Sequence, residues 1–205
     1  MDQHLKAHWE KVYETKTPEE VSWTQSWPQT SLDLIHSSGL DKSANIIDIG
    51  GGDSKLVDFL LEEGYENITV LDISTKSLER AQARLGHKAS KVKWVASDIT
   101  QFVPDQDFDI WHDRAAFHFL TTPEQIETYV ALVKKHVKKF ISIGTFSTNG
   151  PEKCSGLVIK RYDEPSLTGL FQPEFKTLSC KLEDHTTPFN TTQNFIFCSM
   201  ERVIK

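Results

Sequence analysis

The chain has 205 residues, a formal net charge of -6 and 38% apolar residues, enough for one domain with a sizeable core and short for two. That charge leaves no overall basic footprint, so no nucleic-acid partner is expected. The longest apolar runs are far too short to cross a bilayer, so no membrane partner is expected either. The polar start Met1-Asp2-Gln3-His4 lacks the basic and apolar regions of a signal peptide. Cys154, Cys180 and Cys198 form no CxxC and no clustered His/Cys spacing. A disulfide framework and a metal site are therefore not expected, and a reducing, cytoplasmic setting fits best.

In chain order, Leu5, Trp9, Val12 and Tyr13 stand at helical spacing, predicting a short amphipathic helix over 5–14. A loop over 15–28 carries Trp23 and Trp27, and a second short helix around Leu32, Leu34 and Ile35 stops at Gly39. Strands are then predicted at 46–49, 68–73, 92–95, 108–112 and 140–146. Between them lie a helix marked by Leu56, Val57, Leu60 and Leu61, and one capped by Ser74 with Leu78, Ala81 and Leu85 as its buried stripe. A third opens on Thr122-Pro123-Glu124-Gln125, with Ile126, Tyr129, Val130, Val133 and Val137 on one face. Lys134, Lys135, Lys138 and Lys139 fall at its predicted end, where cations favour the helix dipole. Residues 145–167 form a long loop, and the runs 174–188 and 191–204 pair as an antiparallel hairpin. The predicted fold is α/β, a Rossmann-like three-layer sandwich with a mostly parallel seven-stranded sheet ending in that hairpin. The whole of 1–205 is expected to be one domain, 1–39 forming N-terminal helices and a lid, 40–205 the cofactor-binding core.

In an open parallel sheet, ligands sit beyond the carboxyl ends of the strands, where the strand order reverses. The first strand runs into Asp48-Ile49-Gly50-Gly51-Gly52-Asp53-Ser54, a loop whose glycines permit close backbone approach and positive φ. A dinucleotide site wants a third glycine where Lys55 stands. The pattern Gly50, Gly52, Ser54 suits a nucleoside with an amino-acid tail. Asp72, twenty residues beyond Gly52 at the end of "VLDIS", is placed to accept both ribose hydroxyls. Asp98 in "VASDIT" is placed to accept from an exocyclic adenine amine, with Ile99 packing on the ring.

These residues and the terminal hairpin resemble the class I (seven-strand) S-adenosylmethionine-dependent methyltransferases over roughly residues 40–205. The resemblance implies S-adenosyl-L-methionine as cofactor, with Gly50 and Gly52 facing its methionine part, Asp72 its ribose, and Asp98 and Ile99 its adenine. Asp48, Gly51, Ser54, Ile73 and His112 join this expected cofactor set, with Trp23 as the lid's contact on the methionine end. Methyl transfer needs alignment and exclusion of water more than acid–base chemistry.

The acceptor is expected beside the stretch 108–125, where Asp113 could hold an ammonium or orient Arg114, Arg114 could bind an anion and His118 could take a proton. Two subfamilies resemble it. Protein-lysine methyltransferases, including those acting on elongation factor 1A and citrate synthase, carry Asp-Lys-Gly-Thr-x-Asp where this chain has Asp113-Arg114-Ala115-Ala116-Phe117-His118. Thiopurine S-methyltransferases carry an Asp-Arg-[Ala/Gly]-Ala segment similar to Asp113–Ala116. The expected partner is accordingly a small molecule or a protein side chain. The absence of an Asn/Asp-Pro-Pro-Tyr/Phe segment argues against adenine-N6 and glutamine-amide acceptors, and the scattered cysteines against arsenite. A nicotinamide-dependent oxidoreductase and a silent binding module are the alternatives.

Overall fold

A computed structural model describes residues 3–203. Met1, Asp2, Ile204 and Lys205 lie outside the described residues, and with them part of the polar start and the end of the last predicted strand. The chain opens on α1 (Gln3–Thr15) and α2 (Gln29–Ser37). Strands and helices then alternate: β1 (Asn45–Ile49), α3 (Leu56–Glu62), β2 (Asn67–Asp72), α4 (Thr75–Leu85), β3 (Val92–Ala96), β4 (Phe108–Arg114), α5 (Pro123–His136) and β5 (Val137–Phe146). Within the predicted loop 145–167 lie a small hairpin, β6 (Lys153–Cys154) with β7 (Leu157–Val158), and the start of α6 (Glu164–Thr168). The hairpin turns on Ser155 and Gly156, both at positive φ. β8 (Phe175–Thr186) and β9 (Thr192–Arg202) close the chain.

Seven strands form one sheet in the order β3-β2-β1-β4-β5-β9-β8. β1 to β5 pair in parallel, and β9 joins β5 and β8 antiparallel. Side chains alternate across each strand, so the sheet serves two cores. Ile47, Ile49, Leu71, Trp111 and Ile141 pack with Tyr129 and Val133 of α5. Ile46, Ile68, Val70 and Ile110 pack with Leu32, Leu56, Leu60 and Leu78 of the opposite helices. The strand order reverses between β1 and β4, so the Gly50 loop opens there.

Local signals read from the sequence recur as geometry. Ser74 accepts the Ser77 N–H to cap α4, and Thr122 with Gln125 closes a capping box on α5. Three expectations need correction. Val137 begins β5 instead of extending α5: its N–H still caps the helix on Val133, but its φ is already extended. Lys138 and Lys139 therefore stand on a strand, where they meet Asp107 and Asp109, while Lys134 pairs with Glu174. Finally, Cys180 and Cys198 are joined by a disulfide. They are far apart along the chain, but the hairpin register sets them directly opposite each other. The expectation of reduced cysteines does not hold for this pair, and Cys154 is free and buried. Among the described residues no helix is long and apolar enough to cross a membrane, and no group of His, Cys, Asp or Glu side chains is arranged to hold a metal ion.

Candidate active site

The loop after β1 is shaped by its own walls. Gly50 has φ +64°, and a Cβ there would come within 2.5 Å of the Ala116 Cβ. Gly52 has φ +40°, and its Cβ would stand 2.7 Å from Asp72 Oδ2. A side chain at either position is excluded by conformation and by space together. A Cβ on Gly51 would come as close to the Asp48 carboxylate. Ser54 turns away from the loop and serves the next helix, its hydroxyl accepting the Leu56 N–H at 3.1 Å at the start of α3. Lys55, at the third glycine's position, is the N-cap of that helix.

Gly50, Asp72 and Asp98 line one cavity at the ends of β1, β2 and β3. Its walls include Ile49, Leu71, Ile73, Ile99 and Leu120. Asp72 Oδ1 accepts the Ser74 N–H at 2.8 Å, while Oδ2 faces Gly52. Burial, reinforced by Asp48 and Glu10, pushes the Asp72 carboxyl up to about 7 against the hydrogen bonds from Ser74 and Ser77. Asp98 Oδ1 accepts from the Thr100 N–H and hydroxyl, which fixes the carboxyl at the strand tip. Apolar walls suit an adenine ring, and carboxylates at successive strand ends suit a ribose diol and an amine. The residues present thus fit an adenosyl ligand.

The N-terminal helix completes this cavity. Leu5, Trp9 and Tyr13 of α1 line it, residues the periodicity assigned to a helix but to no site. The packing that places them is legible only in three dimensions. Glu10 accepts from the Ser74 hydroxyl, the Thr75 N–H and the Lys76 N–H at 2.9, 2.8 and 3.0 Å. A carboxylate from one helix thereby caps the positive end of α4. Trp23 meets Trp9 edge-on at 5.5 Å and Tyr13 at 6.2 Å. It also lines a second cavity, together with Asp48, Gly50, Gly51, Ser54, His112 and Arg114. Trp27 goes elsewhere: it is exposed and packs on Phe59.

After β4 the alternation of side chains sorts the polar residues. His112 points toward α2, with Nδ1 2.7 Å from Asp48 Oδ1 and Nε2 2.9 Å from Ser31 Oγ. Asp113 points the other way and is fully buried. Its Oδ1 accepts the Ala116 and Phe117 N–H groups, and its Oδ2 accepts the Tyr129 hydroxyl, which in turn accepts the Trp111 indole N–H. Burial raises the Asp113 carboxyl to about 6. It braces the turn after β4 and lines neither cavity. His118 is equally buried and stacks on Phe146 at 4.5 Å. Burial and the Arg114 cation hold its pKa down to about 3, so the ring is neutral and a poor base. Of the three residues expected to serve the acceptor, only Arg114 faces the cavities, and it lines both. Cys154, at the end of β6, lines the first cavity.

Residues 46–139 match the family model described as "Methyltransferase domain". Among curated proteins, the eEF1A lysine and N-terminal methyltransferase of Mus musculus is 24% identical over 119 residues, covering 58% of this chain and 17% of that protein. The chain thus aligns with about a sixth of that relative's length. Among solved structures, the S-adenosylmethionine-dependent methyltransferase from Anabaena variabilis superposes with a TM-score of 0.75 at 18% identity, covering 98% of this chain and 96% of that one. The N-methyltransferase NodS from Bradyrhizobium japonicum, in complex with S-adenosyl-L-homocysteine, gives a TM-score of 0.74 at 16% identity, covering 95% and 98%. Sheet order, glycine loop and matched domain define a class I methyltransferase fold.

Proposed function

We propose that the protein transfers a methyl group from S-adenosyl-L-methionine to a small-molecule or protein side-chain acceptor. The observation that carries this reading is the convergence of Gly50, Asp72 and Asp98 on one cavity. In it, Asp72 holds the ribose hydroxyls, Asp98 and Ile99 bind the adenine, and the Gly50–Gly52 loop passes the methionine end into the second cavity. Trp23 covers that end. Asp48 and His112 stiffen the loop from below through their mutual hydrogen bond. The cofactor, once bound, supplies an activated methyl group on a sulfonium. The chain's own residues have to align the acceptor and keep water out, and the aromatic wall of Trp9, Tyr13 and Trp23 serves both.

Lys55 as an exposed helix cap favours this reading over nicotinamide chemistry, which needs a small residue under the pyrophosphate. Calorimetric titration tests it. S-adenosylhomocysteine should bind in the micromolar range and NAD not at all; binding of NAD alone would refute the assignment.

A further inference from the structure

Two carboxylates grip the turn between β2 and α4 from opposite sides. Asp72 Oδ1 accepts the Ser74 N–H at 2.8 Å. The hydroxyl of the same serine donates to Glu10 Oε2 at 2.9 Å. Glu10 also takes the next two N–H groups, that of Thr75 on Oε1 and that of Lys76 on Oε2. Ser74 Oγ accepts the Ser77 N–H. The N–H groups of Thr75, Lys76 and Ser77, the first three of α4, are thus satisfied without Asp72.

Glu10 comes from α1, between Trp9 and Tyr13 in sequence, and both of those line the cavity. A second tie joins α4 to the end of α1: Arg80 donates to the Lys16 carbonyl at 2.6 Å, and its guanidinium lies 5.9 Å from the centre of the Tyr13 ring. Glu10 itself lines neither cavity, so any effect it has on a ligand passes through the turn. Unpaired N–H groups at a helix start attract carboxylates. Without Glu10, those of Thr75 and Lys76 would compete for Asp72, which already holds the N–H one position earlier. Its Oδ2, which faces Gly52, would then be drawn from the cavity toward α4.

We propose that Glu10 is a positioning residue for the cofactor's ribose: by occupying the start of α4 from α1, it leaves the Asp72 carboxylate free and aimed into the cavity. This rests on the methyl-transfer reading above. Docking of α1 over the cavity and presentation of the ribose acid are one event, because the same three hydrogen bonds accomplish both.

The test is a double-mutant cycle read by calorimetric titration with S-adenosylhomocysteine. Glu10→Ala should weaken binding about tenfold, the effect of losing one of the two charge-assisted contacts to the ribose. Glu10→Gln, which keeps an acceptor oxygen, should fall between that variant and wild type. In an Asp72→Ala background, Glu10→Ala should change affinity by less than about twofold, since no carboxylate is left to aim. Thr122→Ala removes an N-cap from α5, and Thr122 lines neither cavity. It controls for lost stability and should leave affinity within about twofold of wild type. Wild-type affinity in Glu10→Ala, an equal loss with and without Asp72, or the same loss in Thr122→Ala would each overturn the inference. If Glu10→Ala fails to fold, Glu10→Gln carries the cycle. Wild-type protein that takes up no S-adenosylhomocysteine would refute the proposed function, and the inference with it.

Discussion

At the ends of β1, β2 and β3, Gly50, Asp72 and Asp98 meet on one cavity. At the end of β4, by contrast, Asp113 and His118 turn into the core, while Arg114 reaches the same space. Both regions are dense in polar residues, yet density means different things in each. In the first, each acid ends its own strand, so three separate strands deliver one group apiece to the carboxyl edge. In the second, consecutive residues of one strand point to opposite faces, and half of them must be buried. A polar residue there has to find partners inside, as Asp113 does with Tyr129 and two backbone N–H groups.

That contrast breaks most sharply at Asp113. Asp113→Ala leaves a hydroxyl and two N–H groups unpaired in the core and should cost about 3–5 kcal/mol. Denaturant unfolding should show that loss, while the protein that remains folded keeps its S-adenosylhomocysteine affinity. Unchanged stability with lost methyl transfer would return Asp113 to the acceptor. Asp72→Ala should do the opposite, lowering S-adenosylhomocysteine affinity about a hundredfold through two charge-assisted hydrogen bonds of roughly 1.5 kcal/mol each. An affinity within threefold of wild type would remove the ribose assignment.

Acidity sharpens the same comparison. The Asp72 carboxyl is raised to about 7 in the ligand-free fold, so between about pH 4 and 7 the folded protein keeps a proton the unfolded chain has lost. Its contribution favours the fold at low pH and is lost as pH rises through about 7. Accepting two ribose hydroxyls requires the ionised form. S-adenosylhomocysteine affinity should therefore rise about fivefold from pH 6 to 7 and about twofold more before levelling off above about pH 8, as titrations across that range would read; a flat profile would detach Asp72 from the ligand. Smaller still, Glu10→Ala removes the cap on α4 and should cost about 1 kcal/mol by thermal denaturation. Smallest, His118→Leu should change stability by less than about 1 kcal/mol, since neither ring nitrogen has a hydrogen-bond partner among the described residues. A loss several times larger would show that those nitrogens are satisfied in solution.

Much of this site was legible beforehand because its signals are local. Ser74 and Thr122 announce helix starts through contacts three residues away. Gly50 and Asp72 announce a ligand loop and a strand end by their position relative to apolar runs. His118 gave no such signal: its surroundings, Phe146 and Phe119, are set by the packing of a turn against β5. Nor did Glu10, whose partners lie 64 residues on. The disulfide depends on the register of two strands, and a shift by one residue would have turned the two cysteines to opposite faces.

The amino-acid order alone determined the alternation of strands and helices, the closing hairpin and the identity of the glycine loop, since these follow from periodicity and from backbone freedom within a few residues. Tertiary structure decided which face each β4 side chain took, that α1 walls the cavity at the strand ends, and that Cys180 meets Cys198. Each of those depends on distances between segments remote along the chain, set only when the two cores on either face of the sheet are packed.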